Sequence, residues 1–280
     1  PIIPPSIPLV FYGMLTEQSI GKLFLAGAIP GILVGLYLLA ASYLISRKRK
    51  FPARARVPLR IMLKSFFDAA LALLMPMIIV GGIVSGIVTP TEAGVLAVIY
   101  ALIVGLAVYR ELKPKDLLRI FSRSMLSSAY LMAIVAGAGI FSYLVAEMRA
   151  GEILLHFFTN ISQSKWVILI ILNIFFLIWG CILEPMTALV VVVPMLMPLV
   201  KSVGIDPIHF GVVIVLNLMI ALFTPPVGIV IFVASTITGL SFERVVKAIM
   251  PFLIASLIVL LITTYWEGGI MYLPNLLFPD

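Results

Sequence analysis

Apolar residues along this chain come in blocks separated by short polar or basic stretches. Many blocks run to about 20 residues, the length at which a helix matches the roughly 30 Å hydrocarbon core of a bilayer. The pattern predicts membrane-crossing helices over 22–46, 59–86, 90–109, 125–146 and 248–266. A half-helix over 7–12 precedes them, followed by a loop at 14–21 whose only charge is Glu17. Residues 147–164, with Arg149, Glu152 and His156, are polar enough for an interfacial segment. Two shorter arms, 166–183 and 186–200, are parted only by Glu184 and Pro185. They form a hairpin, and their length suits a re-entrant hairpin as well as two crossings.

The apolar run over 207–234 carries I-A-L-F-T-P-P-V-G at Ile220–Gly228. A helix interior cannot absorb Pro225 and Pro226 together, since each removes a donor and clashes with the preceding turn. The run is therefore a helix that stops and restarts. Within a membrane, the carbonyls and amides freed at such a break must be satisfied by protein, ions or water.

The chain opens on the same feature. Pro1–Gly13 reads P-I-I-P-P-S-I-P-L-V-F-Y-G. A shift of 221 (225 minus 4) brings Pro4 and Pro5 onto Pro225 and Pro226, Phe11 onto Phe232, Pro30 onto Pro251, Leu36 onto Leu257 and Leu39 onto Leu260, without a gap. Leucines match by chance in apolar sequence, but a proline pair and a third proline at one offset indicate an internal repeat. The chain then holds the end of the first copy and all of the second. Pro1 shows neither an initiator Met nor a signal-peptide pattern, and a length comparable to the second copy is expected upstream. The divisions are 1–46, the end of the first repeat; 47–60, a basic loop; 61–165, scaffold-type helices; and 166–280, the hairpin, broken helix and last helix.

Charge sets the orientation. Arg47, Lys48, Arg49, Lys50, Arg54, Arg56 and Arg60 form one basic loop, and Arg110, Lys113, Lys115, Arg119 and Arg123 a second. Basic loops lie in the cytoplasm, and the two crossings between these agree with that. The loop at 14–21 is then external, whereas its repeat equivalent at 235–242 leads into Arg244 and Lys247 and lies inside. Equivalent loops on opposite faces mean inverted topology. Inverted repeats with discontinuous helices and a midplane site are the architecture of secondary transporters, where half-helix ends and unwound carbonyls hold coupling ions and anionic substrate groups.

Composition narrows the alternatives. Hydrophobic residues make up 62% and charged residues 11%, which defines an all-α polytopic membrane protein in the lipid bilayer. The net charge of +7 sits at the ends of apolar blocks, so it reads as a topology signal and not as a nucleic-acid surface. The single cysteine, Cys181, excludes an internal disulfide and reads as a small buried apolar residue. His156 and His209 flank different apolar blocks, against a histidine metal centre or a hydrolytic triad.

Three ordered motifs carry a resemblance across the whole chain: I-I-P-P-S-I-P-L-V-F-Y-G at the start, G-G-I-V-S-G-I-V-T-P-T-E-A-G at Gly81–Gly94, and F-T-P-P-V-G at Phe223–Gly228. The chain resembles the large membrane subunit of tripartite ATP-independent periplasmic (TRAP) transporters, in their C-terminal portion. The resemblance implies a sodium-coupled importer of organic acid anions such as C4-dicarboxylates, sialic acid or sugar acids. It implies an elevator-type motion of one domain against a scaffold, in the bacterial inner membrane. The implied partners are a periplasmic substrate-binding protein, a small membrane subunit (separate or fused) and the missing N-terminal part of the same subunit. No cofactor is implied beyond sodium as coupling ion. The competing classes are a stand-alone sodium/carboxylate symporter and a membrane-embedded enzyme.

Candidate contacts for sodium or substrate follow. Thr224, with its hydroxyl and carbonyl, and the freed carbonyls around Pro225, Pro226 and Gly228 come first, because sodium takes oxygen ligands; Pro4, Pro5 and Ser6 are their symmetric counterparts. Gly180, Glu184 and Thr187 at the hairpin turn are next, since an acid between apolar arms is expensive unless it faces water, an ion or a partner. A solvated turn carboxylate is the alternative for Glu184. Thr89, Thr91 and Glu92 read as a capped helix start, and only the resemblance gives them more. Asn217, like Asn173, sits in an apolar helix, where an amide commonly bonds a neighbouring helix. Lys64 and Asp68, four apart, suit a local ion pair.

Overall fold

A computed structural model describes residues 1–51, 57–182 and 184–278, so Arg54 and Arg56 of the first basic loop lie outside the described residues. The regular structure among these residues is entirely helical. The helices are α1 (Ile7–Thr16), α2 (Ile20–Lys48), α3 (Leu59–Val84), α4 (Pro90–Ile103), α5 (Pro114–Glu147), α6 (Ala150–Ile161), α7 (Lys165–Ile182), α8 (Pro185–Ser202), α9 (Pro207–Ala221), α10 (Ile229–Thr238), α11 (Phe242–Tyr265), α12 (Glu267–Ile270) and α13 (Tyr272–Leu277). Seven helical segments among the described residues are long and apolar enough to cross a membrane: α2, α3, α4 with its following turn, α5, α7, α8 and α11.

The chain divides into two compact units, one of Pro1–Arg49 with the residues from Gly137 onward, the other Lys50–Ala136. In the first, α9 is the centre. All its residues from Ile208 to Leu218, and Ile220 and Ala221, are buried. A helix apolar on every side belongs inside a bundle, and α9 is packed by α7, α2, α11, α1 and α8. The hairpin arms α7 and α8 rest mainly on other helices: α7 on α9, and α8 on α6 and α1. The tail after α11 is also folded, with α12 and α13 lying against α2 and Ile270 fully buried.

In the second unit α3 and α4 pack together, and tyrosine hydroxyls bridge them. Tyr100 donates to the Leu71 carbonyl at 2.7 Å and Tyr109 to that of Asp68 at 2.8 Å. Thr89 caps α4 as its sequence suggests. Beyond Ile103 the helix widens to a π-turn over Val104–Val108, where Leu112 folds back onto the bare face of Gly105.

Two expectations are corrected. The helix expected to start near 125 begins at Pro114, because proline suits a first turn and Asp116 complements the positive helix end; the basic residues 115–123 ride on a helix and are not a loop. Lys64 and Asp68 do not pair. Both are exposed, and water leaves such a pair little net attraction.

Candidate functional site

The interrupted helix is realised as α9, a break over 222–228, and α10. Phe223 N–H still bonds the Ile220 carbonyl at 3.1 Å and Thr224 N–H that of Ala221 at 3.0 Å, so α9 closes in tight turns. The Pro225–Pro226 bond is cis. Gly228, at φ 55°, then turns the chain into α10. This backbone conformation favours glycine, and a Cβ there would stand 2.8 Å from Ile231 Cδ1.

Not every oxygen expected to be free is so. The Gly228 carbonyl accepts from Ile231 N–H at 2.7 Å and Phe232 N–H at 3.3 Å, because it starts the hydrogen-bond ladder of α10. The Pro225 carbonyl accepts from the Cys181 thiol at 3.7 Å. The carbonyls of Phe223, Pro226 and Val227 have no hydrogen-bond donor among the described residues. Thr224 Oγ1 donates to the Ile220 carbonyl at 2.8 Å, which leaves its lone pairs available. The break thus offers a threonine hydroxyl and unpaired carbonyls, oxygen donors of the kind that hard cations take. No group of three or more His, Cys, Asp or Glu residues that could hold a metal is present among the described residues.

The first proline pair sits in matching surroundings. Pro4–Pro5 is also cis. Each pair leads into a ten-residue helix, α1 or α10, that ends in a left-handed residue, Glu17 or Gly239. A serine N-cap follows, Ser19 or Ser241, and then a long helix containing a proline, Pro30 or Pro251. The long helices α2 and α11 pack against each other. The gapless offset needs one correction. The proline pairs differ by 221 but the helix starts by 222 (229 minus 7), since Gly228 adds a residue to the second break. Phe11 and Phe232 therefore do not share a helix position. A cavity of about 300 Å³ is bordered by Pro1 and Ile2 ahead of the first break, Phe223 of the second and Val230 of α10. Its lining is almost wholly apolar.

Ser6 is buried and caps α1, its Oγ accepting from Leu9 N–H at 3.3 Å. Gly180 is brought to the break: a Cβ there would lie 2.7 Å from Ala221 Cβ and 3.0 Å from Leu218 Cδ2. Glu184 and Thr187 make a cap of their own at the start of α8, Glu184 Oε2 accepting from Thr187 N–H at 3.0 Å and from its hydroxyl at 3.4 Å. Thr89 and Glu92 form a reciprocal capping box in the second unit, beside the exposed Thr91. Asn217 joins helices: its Nδ2 donates to Asn173 O and Oδ1, both at 2.9 Å, and Asn173 Nδ2 donates to Thr264 Oγ1 at 2.8 Å.

Three contacts had no signal in the sequence. Cys181 is a donor to the break and not merely apolar filling. The ring of Tyr12 lies on the bare face of Gly211, and its hydroxyl donates to the Pro207 carbonyl. His209, fully buried, bonds the Thr263 carbonyl through Nε2 at 2.8 Å and ties α9 to α11.

Interrupted apolar helices around a buried central helix define the class as a polytopic α-helical membrane protein of the transporter kind. Residues 1–268 match the family described as tripartite ATP-independent periplasmic transporter, DctM component, and the chain belongs to that family. It is 39% identical to the C4-dicarboxylate TRAP transporter large permease protein DctM of Pseudomonas aeruginosa, over 98% of this chain and 64% of that protein. It is 38% identical to the sialic acid TRAP transporter large permease protein SiaM of Vibrio cholerae, over 99% and 65%. Identity to the isethionate TRAP transporter permease protein DctMQ of Oleidesulfovibrio alaskensis is 39%, over 94% and 42%. The chain thus spans just under two thirds of the first two relatives. All three relatives are named as permeases.

Proposed function

We propose that this chain works within the large membrane subunit of a sodium-coupled secondary importer of an organic anion. The observation that carries the reading is the break at Leu222–Gly228. It presents Thr224 and the unpaired carbonyls of Phe223, Pro226 and Val227 at the end of the most buried helix, and its counterpart at Pro4–Ser6 has the same sequel of elements. Broken helices in repeated halves are where secondary transporters hold ions and substrate carboxylates. The proposed ion contacts are Thr224 and the carbonyls at Pro226 and its neighbours, with Pro4, Pro5 and Ser6 as the related break.

Relatives named for C4-dicarboxylate, sialic acid and isethionate support an organic anion as substrate. The family description, a component of a tripartite periplasmic transporter, supports two further components, which the proposal takes as a periplasmic binding protein that donates the substrate and a small membrane subunit. An elevator-type motion is part of the proposal, with the break carried by the unit of Pro1–Arg49 and the residues from Gly137 onward.

The test is uptake into proteoliposomes holding the complete membrane assembly, with and without sodium and with and without the binding protein. Dependence on both, with a weakened sodium response in Thr224→Ala, supports the reading. Uptake indifferent to sodium and to the substitution reduces the break to a structural kink.

A further inference from the structure

The first break is seated on two glycines of α2. Gly27 and Gly31 stand four residues apart, on one face of that helix, and both are buried. A Cβ on Gly27 would lie 2.9 Å from the Ile2 carbonyl oxygen and 2.9 Å from Leu9 Cδ1. One on Gly31 would lie 2.5 Å from Ile3 Cγ1 and 3.3 Å from Ile3 Cα. The chain therefore rests on bare helix on both sides of the proline pair, through Ile2 and Ile3 before it and Leu9 of α1 after it. Small residues four apart are what lets backbones approach this closely between membrane helices.

α2 is poorly placed to yield. It is also packed by α9, α11, α12 and α13, so a methyl added at Gly27 displaces the break and not the helix. Between the two anchored stretches stand Pro4 and Pro5, whose ring-locked φ angles leave few torsions to absorb a shift. The carbonyls of Ile3, Pro4 and Pro5 have no hydrogen-bond donor among the described residues, and they move with the anchors. The repeat does not carry this device twice. At the offset that superposes Pro30 on Pro251, Gly27 and Gly31 fall on Ala248 and Phe252, so α11 presents side chains where α2 presents bare backbone.

We propose that Gly27 and Gly31 are positioning residues, which set the carbonyl oxygens of the first break where a sodium ion meets them. The assignment rests on the reading of the breaks as ion sites. It makes the response to sodium sensitive to α2, a helix that itself offers no ligand to the ion.

The experiment measures uptake against sodium concentration in proteoliposomes holding the complete membrane assembly, and melting of the same proteins in potassium. Gly27→Ala raises the half-saturating sodium concentration about tenfold, the scale of one weakened contact to a charge, while maximal uptake changes less. Gly31→Ala acts in the same direction and more weakly, since the Ile3 side chain is exposed and can turn aside. Gly31→Ala/Ile3→Ala, which removes the atom in the way, recovers the wild-type response. Gly35→Ala leaves the response unchanged, because nothing lies within 4 Å of its added methyl. Should Gly27→Ala fail to assemble, the Gly31 variants decide alone. A wild type that responds to sodium, with glycine variants that keep its half-saturating concentration and only melt earlier, overturns the proposal and leaves the ion reading standing. A wild type indifferent to sodium overturns both.

Discussion

The Cys181 thiol lies 3.7 Å from the carbonyl oxygen of Pro225, so the end of the first hairpin arm is hydrogen-bonded to the middle of the helix break. One residue earlier, Gly180 lets α7 approach α9 at Leu218 and Ala221. Two turns back, Asn173 and Asn217 are hydrogen-bonded. Three successive contacts join the hairpin arm to the broken helix, so a displacement of the break is expected to be felt along α7.

Removing the thiol donor tests the last of these contacts. Cys181→Ala frees the Pro225 carbonyl, and Cys181→Ser keeps a donor. The account predicts an altered sodium concentration dependence of uptake in the alanine variant, by the few-fold that a net hydrogen bond of about 0.5–1.5 kcal/mol allows. The serine variant stays closer to wild type. Uptake titrated against sodium for the three proteins measures this.

Gly180→Ala tests the close approach. The added methyl meets Ala221 Cβ at 2.7 Å, backed by a packed helix that cannot easily yield. Overpacking of this kind costs about 1–3 kcal/mol, read as a lowered melting temperature of the assembly. Gly139→Ala is the control, because nothing lies within 4 Å of its added methyl and alanine favours the helix. It is expected to leave melting unchanged or slightly raised.

Gly211→Ala should be more damaging than Gly180→Ala. Its added methyl falls within the ring of Tyr12, whose hydroxyl is also held by the Pro207 carbonyl, so the ring has two reasons to stay. Truncating the ring in Gly211→Ala/Tyr12→Leu relieves the clash, and partial recovery of melting temperature is the expected result.

The asparagine pair should stabilise helix packing and not bind the ion. Asn217→Leu is predicted to cost roughly 0.6–1.7 kcal/mol, the range for interhelical polar contacts in membranes. A double-mutant cycle with Asn173→Leu should give a coupling energy of that size, and the sodium response of Asn217→Leu should match wild type.

Much of this was legible in the sequence because bilayer thickness and proline chemistry act locally. Two adjacent prolines in an apolar run suffice to place a break at Pro225, and Thr89-Pro90-Thr91-Glu92 contains its own capping box. What failed were the features decided by contacts across the fold. Nothing near Gly228 in sequence shows that its carbonyl is taken by Ile231 and Phe232, or that its extra residue shifts α10 by one position against α1. Cys181 reads as a small apolar residue until α7 is laid beside the break, and Gly211 reads as a weak helix former until Tyr12, 199 residues earlier (211 minus 12), covers it. The early start of α5 was hidden because its first turns are basic, and hydropathy registers the membrane-buried part of a helix, not its whole length.

The most direct test of the central claim is thermal unfolding of the purified assembly in sodium against potassium or choline at equal ionic strength, for wild type and Thr224→Ala. A ligand that binds only the folded protein raises its stability with concentration. The account predicts a sodium-specific rise in melting temperature that grows with sodium concentration and is reduced in Thr224→Ala. Identical melting of wild type in all three cations would contradict a sodium site at the break.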